Sequence, residues 1–374
     1  MHSSGRWPGD SRTAREIGQQ PATWLRVADA VRRARPEIER LIGLPGRRIV
    51  LTGAGTSAFV GEVVARDLAR HLGRPVEAIA TTEIVADPLA AVVDDRPILL
   101  VSFARSGNSP ESVAAADLLH RLSPGLRHLV ITCDPEGRLA RRWSGAANAV
   151  VVSLPDEVND RGFAMTSSFT GMALAALLAF GVDVGVEALA RAGSAVLEGA
   201  ADHASAISGA KPARLVFLGS GSLLGLAREA ALKCLELTRG EVVGIADSAL
   251  GFRHGPKSVL DERTIAVVFL STDPYARQYD VDIAHELVRS LGDERVVVVG
   301  NATGFGGARV WPVPSPPGVP VAGYALLAVI AAQTTALACS LALGVTPDNP
   351  FPDGEVNRVV QGVVIHDFLP SEVD

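Results

Sequence analysis

The stretch Arg48-Ile49-Val50-Leu51-Thr52-Gly53-Ala54-Gly55-Thr56-Ser57 has a partner in Arg214-Leu215-Val216-Phe217-Leu218-Gly219-Ser220-Gly221-Ser222-Leu223. Each is an apolar strand run, a Gly-x-Gly turn and the start of a helical stretch. The shared register continues outward. Ile98–Phe103 pairs with Ile265–Leu270, His128–Asp134 with Arg295–Asn301, and the Val-rich runs Ala149–Ser153 and Arg309–Val313 close the two copies. Near-continuous β-branched runs alternating with helices mean a parallel sheet covered on both faces. The fold class expected is therefore α/β, as two tandem doubly wound, flavodoxin-like units over 46–205 and 211–346. Residues 1–45 form an N-terminal tail and a helical stretch broken at Pro36, and 347–374 a C-terminal tail.

Composition narrows the function classes. The chain has 374 residues, with 35 Lys+Arg against 41 Asp+Glu, a net charge of −6 that argues against a sequence-independent nucleic-acid binder. With 48% hydrophobic and 20% charged residues it is not a disordered chain. Cys133, Cys234 and Cys339 are too sparse for a disulfide scaffold or a zinc site, which points to a reducing cytoplasm. Residues 1–12 are polar and no apolar signal-peptide region follows. From 310 to 347 there is no charge, and 322–345 is long enough to span a bilayer, but it lacks a basic flank. A helix buried between other elements is the expected reading, as it is for the uncharged stretch 165–182.

Ligands of open α/β sheets sit beyond the carboxyl ends of the strands, so the polar residues there carry the chemistry. Gly53-Ala54-Gly55-Thr56-Ser57 turns tightly and then crowns a helix N-terminus with two hydroxyls, where an anion is favoured. A plain capped turn explains the motif equally well. The dinucleotide reading fails on the third glycine, replaced by Ala58 and Leu224, and on Glu77, which opens an apolar run instead of closing one. Arg105-Ser106-Gly107-Asn108-Ser109-Pro110 offers hydroxyls, a guanidinium and a glycine nest, which suits a phosphate dianion and is compatible with Ser109 capping the next helix. Glu229, Lys233 and Glu236 share one helical face, as a solvated salt-bridged stripe or as a carboxylate base beside a cation. His254, between Arg253 and Gly255-Pro256-Lys257, is either an idle loop histidine or an acid/base group.

These features in combination resemble the tandem SIS (sugar isomerase) domain family. The matching pieces are Gly-x-Gly-Thr56-Ser57, Ser106-Gly107-x-Ser109, Lys233-x-x-Glu236, His254-Gly255-Pro256 and Asp348-Asn349-Pro350, running from near 16 (Glu16-Ile17…Gln20-Pro21) to near 365. The runs Asn159–Thr170, Gly251–Ser258 and Asp273–Asp280 are most similar to the AgaS branch of galactosamine-6-phosphate deaminases and tagatose-6-phosphate ketose/aldose isomerases. The chain is also similar to the isomerase half of glucosamine-6-phosphate synthase. The resemblance implies a sugar phosphate held by Gly55, Thr56, Ser57, Arg105, Ser106, Gly107, Ser109, Thr166, Ser167 and Lys257. It implies Glu236 as the base moving a proton between C1 and C2, with Lys233 beside it. It implies His254 assisting ring opening from the partner subunit of a homodimer, and no metal or organic cofactor.

The chain departs from the synthase in two places. About 45 residues precede the first unit, too few for the synthase's glutaminase domain. The synthase's tail lysine aligns with Val360. Without a built-in ammonia source the expected activity is release of ammonia from galactosamine 6-phosphate or a related hexosamine 6-phosphate. The alternatives are a ketose/aldose-phosphate isomerase without deamination and a non-catalytic sugar-phosphate regulator. The second unit's Gly219-Ser220-Gly221-Ser222 keeps one hydroxyl where the first has two, so it is not expected to hold the phosphate.

Overall fold

The computed structural model describes residues 11–43 and 46–368. In chain order the first half contains α1 (Arg12–Ile42), β1 (Arg48–Thr52), α2 (Thr56–Leu72), β2 (Val76–Ala78), α3 (Thr81–Ala86), β3 (Ile98–Ala104), α4 (Pro110–Leu122), β4 (Arg127–Thr132), α5 (Arg138–Trp143), β5 (Ala149–Ser153), α6 (Ser167–Ala179) and α7 (Val186–Gly209). The second half contains β6 (Arg214–Gly219), α8 (Ser222–Leu237), β7 (Val243–Asp247), β8 (Thr264–Phe269), α9 (Pro274–Leu291), β9 (Val296–Val299), β10 (Arg309–Trp311) and α10 (Val321–Ala342).

The strands form two five-stranded sheets, ordered β2-β1-β3-β4-β5 and β7-β6-β8-β9-β10, with parallel pairing throughout. Numbered within its own unit, each sheet has the order 2-1-3-4-5, so the repeat seen in the sequence is a repeat of topology. β1, β3 and β8 are buried at every residue, as strands covered on both faces must be.

The two uncharged stretches are core helices. α10 is buried along almost its whole length, between α7 and α8. It is long and apolar enough to cross a membrane by length and composition, yet Tyr324, Leu326, Leu327, Ile330 and Leu337 are spent on the protein's own interior. α6 packs in the same way against α1 and α2.

The sequence expectation of a break at Pro36 is not met. α1 runs unbroken through Pro21 and Pro36. A proline inside a helix costs about 3 kcal/mol through its lost hydrogen bond and ring clash. The apolar face of Ile17, Trp24, Val27, Val31, Ile38 and Leu41, buried against α6 and α7, outweighs that penalty.

The two units meet along α2 and α8, the helices that follow the twin Gly-x-Gly turns. Gly225 makes the close crossing possible: a Cβ there would stand 2.9 Å from the Val63 nitrogen and 2.9 Å from Glu62 Cβ. Asp67 of α2 ties the contact from inside, accepting from the Ala322 amide at 2.7 Å and the Ser222 hydroxyl at 3.3 Å. This crossing carries the last two turns of α8 to the mouth of the first sheet.

Candidate active site

In a 2-1-3-4-5 sheet the order reverses between the first and third strands, and a crevice opens beyond their carboxyl ends. The first unit's crevice is lined by Gly55, Thr56 and Ser57 after β1 and by Arg105, Ser106, Gly107 and Ser109 after β3, with Ser112 of α4 beside them. Gly55 takes φ 54°, and no side chain caps α2 there. Ser109 occupies the N-cap of α4 without capping it; its hydroxyl lies 2.6 Å from that of Ser112. Two helix N-termini and five hydroxyls thus face one cleft, an arrangement suited to an anion. The β3–α4 loop is braced from behind. Gly107 takes φ 64°, its carbonyl accepts from Leu139, and Gly137 packs so close that a Cβ would collide with the Ser106 carbonyl.

Opposite the anion seat stands Glu236, delivered by the end of α8. The solvated-stripe reading of its helix face is overturned: the side chains of Glu229 and Lys233 are both 0% exposed and that of Glu236 is 23% exposed. Lys233 Nζ bonds to Glu236 Oε2, donates to Thr56 Oγ1 at 3.0 Å and stands 3.5 Å from Glu229 Oε1. Burial alone would pull the Lys233 pKa down; the carboxylates of Glu229 and Glu236 outweigh it and hold the pKa raised. Burial pushes Glu229 up to about 8, against the pull of Lys233, and its oxygens lack well-formed hydrogen bonds. One cation cannot neutralise both acids, so the tight pair is Lys233–Glu236 and burial holds Glu229 toward its protonated form. The result is an anchored, water-accessible carboxylate facing the hydroxyl-lined side of the cleft.

The remaining wall comes from segments outside the two hydroxyl-rich loops. Phe163 and Met165 close one side, Leu232 the base, and tail residues Val356–Val360 the top, with Val360 itself at the cleft. The tail is fixed at its root, where Asp348 accepts from the Arg12 and Thr13 amides at 2.8 Å each and from the Thr13 hydroxyl at 2.9 Å. Phe351 then packs on Phe163 at 5.3 Å. The sequence signals for this tail were Asp348-Asn349-Pro350 and the alignment of Val360 with the synthase's tail lysine; Arg358 carried none.

Three expected ligands and the catalytic candidate His254 lie elsewhere. Thr166 and Ser167 are 0% exposed and do not line the cleft. Thr166 gives its hydroxyl (2.7 Å) and amide (2.8 Å) to Asp160; Ser167 gives its amide to Asp160 (3.0 Å) and its hydroxyl to the Glu16 carbonyl (2.7 Å). Asp160 is thus the internal anion of the α6 N-terminus, which is what the Asn159–Thr170 run builds. Lys257 is turned to Glu286, which Arg253 also holds at 2.8 Å. His254 is exposed on the loop after β7 and does not line this chain's cleft.

The second unit repeats the turn but not the seat. Gly221 has φ 64° and ψ −125°, nearly the values of Gly55. There the Ser220 hydroxyl donates to Asp280 at 2.5 Å, and the other Asp280 oxygen accepts from the Ser271 amide at 2.9 Å. Asp273 caps α9 through the Tyr275 and Ala276 amides. Two carboxylates of the chain thus take up donors around this turn.

Comparison with known proteins follows the same lines. The family model of the SIS domain matches residues 45–181. The chain is 54% identical to the AgaS protein of Streptomyces coelicolor over 95% of each chain. It is 43% identical to the D-galactosamine-6-phosphate deaminase AgaS of Escherichia coli, over 97% of this chain and 96% of that one. The crystal structure of tagatose-6-phosphate ketose/aldose isomerase from Escherichia coli superimposes with a TM-score of 0.90 at 38% identity, covering 98% of this chain and 100% of that one.

Proposed function

We propose that this chain, which belongs to the SIS domain family in its AgaS branch, is an amino-sugar-phosphate deaminase, acting on galactosamine 6-phosphate or a related hexosamine 6-phosphate. The observation that carries the reading is Glu236, an ionisable carboxylate anchored by a buried lysine and facing a seat of hydroxyls and helix N-termini. The phosphate sits among Thr56, Ser57, Ser106 and Ser109 and acts as a remote handle whose binding energy places the reacting carbons. Glu236 removes the proton from C2 of the open-chain sugar, giving the enolamine, and returns it to C1. The C2 nitrogen is then an imine, and water hydrolyses it to the ketose 6-phosphate and ammonia. One carboxylate over two adjacent carbons suffices for both transfers. Thr56 serves twice, lining the seat and accepting from Lys233, so seat and base are held in one register.

His254 enters this scheme from a second copy of the chain. It is exposed here and absent from its own cleft, as a group that completes a neighbour's site would be. Three free, buried cysteines agree with a cytoplasmic enzyme.

A panel of hexosamine and ketohexose 6-phosphates, read for ammonia and for ketose, tests the proposal. Equal amounts of ammonia and ketose from galactosamine 6-phosphate are expected. The second reading, aldose–ketose isomerisation, is favoured by the name of the structural relative at 38% identity. Conversion of tagatose 6-phosphate with no ammonia from any hexosamine phosphate would establish it instead.

The seat is tested separately by Ser106→Ala and Ser109→Ala. Each removes a charge-assisted hydrogen bond worth about 1.5–3 kcal/mol to a group that changes little along the reaction. The Michaelis constant should rise by roughly 10–150-fold with the turnover number nearly unchanged. A Michaelis constant that stays put in both variants would place the phosphate elsewhere.

A further inference from the structure

Arg105 is the only cation in the motif that builds the anion seat, and its type suggests a phosphate ligand. Its side chain does something else in the fold. The residue is 7% exposed, and its two terminal nitrogens reach backbone carbonyls on two distant segments. Nη1 donates to Phe163 at 3.0 Å and Nη2 to Arg358 at 2.7 Å. Both acceptors belong to walls of the cleft, one to the Phe163–Met165 side and one to the Val356–Val360 top. Arg358 in turn bonds its own guanidinium to the Asp160 carbonyl.

The tail has little else to hold it there. Its described residues include no helix or strand, and beyond Gly354 they form no backbone-to-backbone hydrogen bond with one another or with the rest of the described chain. Glu355 meets Arg239 at 3.3 Å on the exposed surface, where ion pairs contribute at most about 1 kcal/mol. Val356, Val360, Val363 and Val364 are all more than a third exposed. The interior grip on the stretch over the cleft consists of the Arg105–Arg358 carbonyl bond and the Arg358–Asp160 carbonyl bond.

We propose that Arg105 is a positioning residue, a clasp that hangs the tail strap over the substrate cleft and ties it to the Phe163 wall, and that the phosphate is held without it. The proposal rests on the cleft being the sugar-phosphate site, but the clasp is read independently of any substrate.

Hydrogen exchange and phosphate binding on the full-length chain test it together. In Arg105→Ala, amide exchange over residues 355–361 should quicken by tenfold or more, while β3, β4 and α4 exchange as in the wild type, which reports an intact fold. The affinity for inorganic phosphate should stay within about threefold, and kcat/KM for the sugar phosphate should fall by 10-fold or more as the top wall loosens. Arg105→Lys, which can reach one carbonyl, should give intermediate exchange. Arg358→Ala, which cuts the strap's other interior bond, should quicken the same segment. Unaltered exchange over 355–361 in Arg105→Ala, or a tenfold loss of phosphate affinity in it, would overturn the clasp. Failure of the wild type to bind inorganic phosphate would count against the proposed function, and the exchange result would still judge the clasp.

Discussion

Glu236→Gln should lower turnover by about 10²–10⁴-fold while substrate still binds, because an amide cannot accept the C2 proton and the seat lies on other elements. The substitution keeps the shape of the side chain, and the wild-type group is 23% exposed at the cleft, so the fold should survive. Single-turnover kinetics beside a phosphate-competitive binding assay separates the two effects. Substrate deuterated at C2 adds an independent check, since the wild type should slow on it wherever proton abstraction limits the rate. Near-normal turnover in Glu236→Gln would remove the carboxylate from the chemistry and leave the ion pair with a purely structural task.

Lys233→Met should destabilise the protein by about 3–5 kcal/mol and nearly abolish activity. Removing one partner of a buried charge cluster leaves the other uncompensated. Here the charge left behind is that of Glu236, packed beside the fully buried Glu229. Glu236 would also lose its anchor and its place over the seat. Chemical denaturation measures the first effect and turnover at saturating substrate the second. The double variant Lys233→Met/Glu236→Gln should recover most of the stability and none of the activity, because it removes the stranded charge without restoring a base. The pH dependence gives a further signature. With its folded pKa raised from 4.5 to about 8 by burial, Glu229 supports folding fully below the unfolded value. That support is lost as pH rises through 8, because the unfolded chain releases the proton first. Glu229→Gln should flatten this part of the stability curve. Unchanged stability in Lys233→Met would mean that the cluster is not electrostatically coupled.

The parts of this molecule that were legible in its sequence are those encoded locally. A β-branched run and a Gly-x-Gly turn specify a strand and a tight turn whatever surrounds them, and the second copy in register fixed the topology of both sheets. The hydroxyl loops after β1 and β3 were legible for the same reason. Burial was not. Glu229, Lys233 and Glu236 have the spacing of an exposed salt-bridged stripe, and only the tight crossing of α2 over α8 at Gly225 puts two of them in the interior. Thr166 and Ser167 looked like ligands because the types that bind anions are also those that satisfy an internal aspartate, and Asp160 lay six residues away. The tail carries no periodicity at all; its placement depends on carbonyl groups, which every residue has, so no side-chain pattern could announce Arg105 as its holder. Pro36 was misread because a local rule was overridden by the apolar face on which α1 rests.

The internal carboxylates of the second unit have a consequence for how the duplication is counted. A chain made of two like halves suggests two equivalents of ligand per polypeptide and an exchange of signals between them. With Asp280 and Asp273 already seated against Ser220, Ser271 and the α9 amides, the second half is expected to take no part in gripping the phosphate. Freed from gripping a ligand, it lends α8, and with it the acid and its counter-ion, to the sister half. On the proposed function the chain divides labour between grip and chemistry, and one equivalent of sugar phosphate per chain is expected to bind.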